Sequence, residues 1–286
     1  MSSPDRSQRI DAYSPAEMAA RVLDVGVSKG ELSTGRTLAL AGLAGAFIAM
    51  GAAFATLATT DAGLGYGPTR VLGGLTFSLG LILVVVAGAE LFTGNNLVGM
   101  AWASRATSTR LLVRNWILVY VGNLAGAIGT SLLVYWSRIW TGAENAVGLN
   151  AISISAAKVQ LSFGEAFVRG ILCNALVCLA VWLCHSARST TDKILAIIWP
   201  ITAFVALGFE HSIANMYFIP LGILLKADSH LSDHAEAQGV PLEALDITGF
   251  LNNLLPVTLG NIVGGTLLVA AIYWFVYLRR PAASTD

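Results

Sequence analysis

The chain has 286 residues, 55% of them hydrophobic and 12% charged, and its 17 Lys and Arg offset 17 Asp and Glu. With a mean hydropathy of +0.69, this composition excludes an ordinary soluble domain and fits a multi-span protein whose partner is the lipid bilayer. Zero formal charge gives no pull toward nucleic acid.

At the start, Met1 to Ala12 is polar and lacks the apolar run of a signal peptide, so no cleaved leader is expected. Ser14-Pro15-Ala16-Glu17 reads as a capping box with proline at the first helical position. Met18, Val22 and Val25 then share one face, predicting a short amphipathic helix that ends near Gly30. It serves as a lead-in to the first span or as a lid near a cytoplasmic opening. The expected organisation is a cytoplasmic segment over 1–35, a transmembrane transport domain over 36–278 and a cytoplasmic tail over 279–286.

A span needs ~20 apolar residues to cross the hydrocarbon. Six stretches qualify: Leu38–Thr59, Val71–Ala101, Leu111–Trp136, Phe163–Cys184, Ile194–Leu225 and Leu251–Leu278. The second and fifth are long for one crossing, which tilt or an interruption would explain. Gly42, Gly45 and Gly51 let the first span approach its neighbours closely. The glycine-rich loop Asp61 to Pro68 lacks the Lys-Ser/Thr of a phosphate loop.

Late in span two the chain reads Gly88-Ala89-Glu90-Leu91-Phe92-Thr93-Gly94-Asn95-Asn96. Irregular backbone at that depth is tolerated only inside protein or along water. Thr141 to Gln160 reads as a loop, with Lys158 just before span four. Span four holds Arg169, expected to face a crevice or subunit interface, and Cys173, Cys178 and Cys184, whose spacing fits apolar packing and no metal motif. Span five holds Gly208-Phe209-Glu210-His211-Ser212-Ile213-Ala214-Asn215-Met216. Adjacent Glu and His inside a membrane mark a pathway or proton site, and Gly208 favours a helix break. Ala227 to Leu245 carries His230 and His234 among carboxylates and reads as a solvated loop rather than a metal site.

The halves echo each other. Glu90 and Asn95 match Glu210 and Asn215; Gly122-Asn123-Leu124-Ala125-Gly126 matches Gly260-Asn261-Ile262-Val263-Gly264. Two echoes in matching order predict a three-plus-three repeat, about 36–140 and 158–278. Three spans per unit is an odd number, so the units lie inverted, with a site at the midplane where broken helices meet. Twelve Lys and Arg (Arg6, Arg9, Arg21, Lys29, Arg36, Arg105, Arg110, Arg114, Arg188, Lys193, Arg279, Arg280) fall on the face of the termini, against four (Arg70, Arg138, Lys158, Lys226) opposite. Both termini are therefore expected in the cytoplasm.

If both segments break, the half-helices after Asn95 and after Ser212 begin near the membrane centre. Each start offers free N–H groups and about +0.5 charge, a focus suited to a small anion. Ser212 reads as the cap of the second. Moving an isolated carboxylate into low dielectric costs on the order of tens of kcal/mol. Donors can surround it, or a proton can neutralise it, and His211 can do either. Thr93 can hold the imidazole or the substrate from the opposite break. The plain alternative is that Thr93 caps a helix and His211 satisfies buried carbonyls. Glu90 and Glu210 would repel an anion, so each reads as a brace for its broken segment, with Gly94, Asn95, Gly208 and Asn215 marking the breaks. Asn174 lines a pore or joins helices.

These residues resemble the formate/nitrite transporter family. The likeness rests on Glu90-Leu91-Phe92-Thr93-Gly94-Asn95 and Gly208 to Met216, and extends through Asn174 to Trp182 and Gly260 to Gly265. It covers Pro15 to Leu278. It implies an all-α membrane protein: an aquaporin-like six-helix protomer of two inverted three-helix repeats, with broken second and fifth helices. It also implies a homopentamer in the inner membrane, one pore per protomer, and an N-terminal helix linked to gating. By motif, Leu91 and Phe77 with Leu81 would narrow the cytoplasmic side, and Phe204 and Val177 the outer side. Thr93 would sit on a mobile loop and His211 at the centre, with Asn174, Lys158 and Glu210 along the route. Phe209 to Met216 and Thr76 to Leu81 look most like the formate-channel branch; Thr93-Gly94 looks locally like the nitrite branch.

The function expected is passage of formate and similar small monovalent anions, in either direction and linked to protons through His211. Nitrite, hydrosulfide or lactate is the alternative cargo. An intramembrane enzyme using Glu210 and His211 would lack a nucleophile or metal set, so no enzyme activity, metal or cofactor is expected. A neutral-solute pore would need Asn-Pro-Ala pairs that the chain lacks.

Overall fold

A computed structural model describes residues 12–279, and these are helical with no strand among them. Arg6, Arg9 and Arg280, and most of the 1–12 and 279–286 segments, lie outside the described residues. Ser14 caps α1 (Pro15–Glu31) in a complete capping box with Glu17, and the helix buries Met18, Ala19 and Val22 against the bundle. A tight corner leads into α2 (Thr34–Thr59), which runs 26 residues to the opposite face. There α3 (Tyr66–Ala87) starts back, and after an interruption a 3-10 turn (Gly94–Val98) and α4 (Gly99–Ala103) complete the return. Ser108 caps α5 (Thr109–Ser137), which crosses again.

The stretch Thr141 to Gln160, read as a loop, instead contains α6 (Ala146–Val159). Its Val147, Ala151, Ile152, Ser155 and Ala156 are buried, a helical face whose small and hydroxylated members hide the periodicity. The second half continues with α7 (Phe163–Cys184), α8 (Thr190–Ala206) and α9 (Ser212–Lys226). The Ala227–Leu245 region, also read as a loop, contains α10 (Ser229–Ala237), with Asp228 as its cap. The last crossing is α11 (Ile247–Val263), a π-helical stretch (Gly264–Ala271) and α12 (Ile272–Tyr277).

Among the described residues five helices are long and apolar enough to cross a membrane: α2, α3, α5, α7 and the continuous run Ile247–Tyr277. The fifth apolar stretch is divided between the shorter α8 and α9. Two faces result. Arg114 of α5 donates to the Leu32 carbonyl after α1, while Asn150 of α6 donates to the Thr56 carbonyl at the far end of α2. We call these the α1 face and the α6 face.

Close backbone approach sets the packing. A Cβ on Gly126 of α5 would run into the Gly42 carbonyl of α2, and one on Gly264 into the Ile171 carbonyl of α7. Small residues at such crossings give membrane helices their contact area. Gly126→Ala should therefore lower stability by about 1–3 kcal/mol through overpacking. Gly129→Ala, with nothing within 4 Å of the new methyl, should lose none, since Ala favours the helix by about 1 kcal/mol. Thermal denaturation of the detergent-solubilised protein checks both.

Candidate functional site

Both interruptions begin the same way. α3 ends at Ala87 and Gly88 turns left-handed at φ 82°; α8 ends at Ala206 and Gly208 does so at φ 74°. Side chains rarely adopt this conformation, which explains a glycine at each stop. The chain then runs without helix to Thr93 in the first case and to His211 in the second.

Free backbone groups in these segments are closed by asparagines from neighbouring helices. Asn123 of α5 accepts from Phe92 N (2.9 Å) and donates to the Glu90 carbonyl (2.9 Å) and to Ala41 O of α2 (2.8 Å). Asn261 of α11 accepts from Ser212 N (2.9 Å) and donates to the Glu210 carbonyl (3.0 Å) and to Gly170 O of α7 (2.8 Å). Each of the three Asn123 bonds at one break has its Asn261 counterpart at the other.

The carboxylates follow the same scheme. Glu90 accepts from Lys29 of α1 (2.6 Å) and Asn95 (2.7 Å); Glu210 accepts from Lys158 of α6 (2.9 Å) and Asn215 (2.6 Å). Asn95 reaches on to Asn115, whose amide returns to the Lys29 carbonyl; Asn215 reaches on to Asn253, whose amide returns to the Lys158 carbonyl. Each closed loop ties a helix lying before its first span to the break it covers.

His211 departs from this symmetry. By the bonds on either side of it, its counterpart in the first half is Leu91. Its Nδ1 accepts from Ala214 N at 3.1 Å, so His211 itself caps α9. That corrects the expectation for Ser212, whose Oγ has no hydrogen bond: the chain reaches α9 with His211 extended, in the cap position. A nitrogen that accepts carries no proton, so the neutral ring carries its proton on Nε2. Nε2 lies 2.9 Å from Thr93 Oγ1 of the other break, and both side chains are buried. The Thr93 carbonyl is held from behind by Asn174 Nδ2 and Cys178 Sγ, each at 3.3 Å.

Two cavities approach this pair. The one at the α1 face has a volume of about 620 Å³, and its lining includes Leu81, Leu91, Gly94, Asn95, Glu90 and Lys29. The one at the α6 face, of about 450 Å³, includes Phe77, Phe204, His211, Glu210 and Lys158. Phe77 meets Phe204 edge-on at 5.6 Å, and Phe204 stacks on the His211 ring at 5.9 Å. Phe77 thus groups with Phe204 on the α6 face, not with Leu81 as expected, because one turn of α3 separates them. Val177 and Asn174 are buried and line neither cavity. Asn174 instead donates to Asn96 and to the Asn261 carbonyl as well as to Thr93, locking the two breaks together.

Sequence reasoning missed Lys29, Asn115 and Asn253 as partners of the breaks. The signal for Lys29 was available: it precedes span one as Lys158 precedes span four. At the α1 face His185 also lines the cavity. Burial, and then Arg21, Lys29 and Lys193, push its pKa down to about 4. It is uncharged above about pH 5 and adds no titrating proton there. Among the described residues no group of His, Cys, Asp and Glu could hold a metal.

Among the described residues, an all-helical bundle with five apolar helices of membrane-crossing length, entered by a cavity from each face, is the frame of an integral-membrane transport protein. A family model described as formate/nitrite transporter matches residues 16–275, and the chain belongs to that family. It is 42% identical to "Formate channel FocA" of Escherichia coli K12, covering 94% of this chain and 96% of that one. It is 38% identical to "Probable formate transporter" of Methanothermobacter thermautotrophicus, covering 93% and 98%. Among solved structures it resembles "Pentameric formate channel with formate bound", with TM-score 0.79, 44% identity, and 86% and 98% covered.

Removing one member of a buried ion pair leaves the other charge uncompensated, which costs about 3–5 kcal/mol. Lys158→Met should destabilise the protein by about 3 kcal/mol, and the double variant Lys158→Met/Glu210→Gln should recover most of it. Thermal melting of the four forms in detergent gives the coupling; equal melting of the single and double variants would refute it.

Proposed function

We propose that this chain is a transmembrane channel or carrier for formate and similar small monovalent anions, working in either direction, with passage linked to protons through His211. The observation that carries the reading is the Thr93–His211 contact: His211 lines the α6-face cavity, and Leu91 and Gly94, on either side of Thr93, line the α1-face cavity. In that contact Nε2–H donates to Thr93, and the hydroxyl proton of Thr93 has no other acceptor among the described residues. When the source side supplies a proton to Nδ1, displacing its bond from Ala214 N, the resulting imidazolium can pass its Nε2 proton by way of Thr93 Oγ1 to an arriving carboxylate, which turns a weak-acid anion into a neutral acid and returns the ring to neutral. The neutral form crosses the apolar girdle of Leu81, Leu91, Phe77 and Phe204 without the cost of carrying charge through it.

The matched bonds at the two breaks support an inverted repeat of the aquaporin-like kind, one repeat running from α1 to α5 and the other from α6 through the last crossing. That extends the boundaries expected from sequence to include α1 and α6. The name of the solved relative supports a homopentamer, and the two cavities within one protomer support a pathway in each. The Lys and Arg bias supports an inner-membrane setting with the α1 face cytoplasmic. Thr93-Gly94 favours nitrite as a second cargo, with hydrosulfide and lactate the further members of the class.

Wild-type protein in liposomes should take up formate faster when the source side is acidified, and His211→Asn should lose that dependence. Thr93→Ser should keep most of the flux, whereas Thr93→Val should lose about tenfold, the worth of one hydrogen bond to a charged group. Uptake by His211→Asn that tracks wild type at every pH rules out the proton role. Competition by nitrite, hydrosulfide and lactate in the same vesicles orders the cargoes.

A further inference from the structure

The two breaks are held so alike that their differences identify what one side does and the other does not. Glu90 N donates to the carbonyl of Leu40 on α2; Glu210 N donates to the carbonyl of Arg169 on α7. Arg169 therefore stands where the first half has a leucine, beside the break that carries His211. Its side chain is half-buried and lines the α6-face cavity together with Arg70, Lys158, Glu210 and His211.

The cations in this cavity differ in what occupies them. Lys158 is committed to Glu210. Arg70 spends Nε on the Ala206 carbonyl and Nη2 on the Val205 carbonyl, closing the end of α8. Arg169 has no hydrogen bond or ion pair within 4 Å among the described residues; the charge it acts on is the exposed Glu165, one turn earlier on α7. A guanidinium at this depth, in a polar cavity and without a committed partner, is a donor fork for a planar anion.

We propose that Arg169, backed by Arg70, forms a carboxylate-holding station in the α6-face cavity, ahead of His211, with no counterpart at the α1 face. The uncommitted Arg169 fork matches a carboxylate bidentately, Arg70 adds its charge from the end of α8, and the cavity's cations outnumber its one paired acid, so the station concentrates anions on that side. It rests on the proposed anion transport and adds a direction-dependent recognition step to it. Arg169 holds the anion before the relay acts; it transfers no proton.

The test is formate flux against formate concentration in vesicles of one known orientation, for wild type, Arg169→Lys and Arg169→Gln. With formate supplied at the α6 face, Arg169→Gln should raise the half-saturating concentration about 5–10-fold, the change falling on half-saturation and not on saturating flux. Arg169→Lys should recover part of it, keeping charge but losing the fork. Supply at the α1 face should show less than a twofold change. Unchanged half-saturation in Arg169→Gln, or an equal rise from both faces, overturns the station. If wild type carries no formate, the transport reading fails by itself. The station is then judged by the thermal shift that formate gives the detergent-solubilised protein: a larger shift in wild type than in Arg169→Gln supports it, and equal shifts overturn it. Size-exclusion chromatography of each variant separates misassembly from a lost site.

Discussion

The molecule depends on one constraint: an interrupted helix inside hydrocarbon frees backbone N–H and C=O groups that no water can satisfy. Each orphaned group costs several kcal/mol. Asn123 and Asn261 meet that demand, each using its oxygen once and its amide twice at a break. They reach the breaks only because α5 lies against α2, and α11 against α7, at backbone contact. Gly122, Gly126, Gly260 and Gly264 allow that approach. The glycine pattern, the asparagines and the breaks are thus one device, and removing any part leaves polar backbone stranded.

The lysine–glutamate pairs extend the device to α1 and α6. A carboxylate beside an anion route repels cargo unless it is neutralised, and Lys29 and Lys158 do that at 2.6 and 2.9 Å. Both pairs are mostly buried. A buried ion pair adds little net stability, but it specifies one arrangement strongly, since every alternative leaves a bare charge. So α1 is more than a lead-in to the first span. Its last turn holds one corner of the first break, and any displacement of α1 would uncover Glu90 and Asn95 beside the α1-face cavity.

Much of this was legible in the chain. Apolar runs of the right length located the spans, and the excess length of the second and fifth pointed to interruptions that Gly88 and Gly208 then began. The Gly-Asn-x-x-Gly echo placed the paired crossings. What was not legible depends on contacts far apart in sequence. Lys29 lies 61 residues from Glu90, and only its place in the repeat, not a local pattern, announces that meeting. α6 was hidden because Ser153, Ser155 and Gly148 interrupt its apolar face, although Ser155 is buried and bonded to the carbonyls of Ala151 and Phe218. The π-helical stretch from Gly264 lies at a close contact: at Gly265 even a methyl would meet Asn174, Asn96 and Cys178. Assigning Ser212 as the cap was a local rule that a neighbouring imidazole outcompeted.

Near-symmetry also sharpens the chemical argument. Had the two breaks been identical, they would carry two leucines or two histidines. Two leucines would make a dry barrier with no donor for an anion. Two histidines would each cap a half-helix, and neither would find the hydroxyl that Nε2 now meets. With Leu91 in one half and His211 in the other, one side of the centre is apolar and the other bears a proton. Thr93 lies on the apolar half's own segment and reaches across to the imidazole. In the proposed reading the anion therefore meets a donor and a barrier at the same place, and only the protonated cargo passes the barrier at low cost.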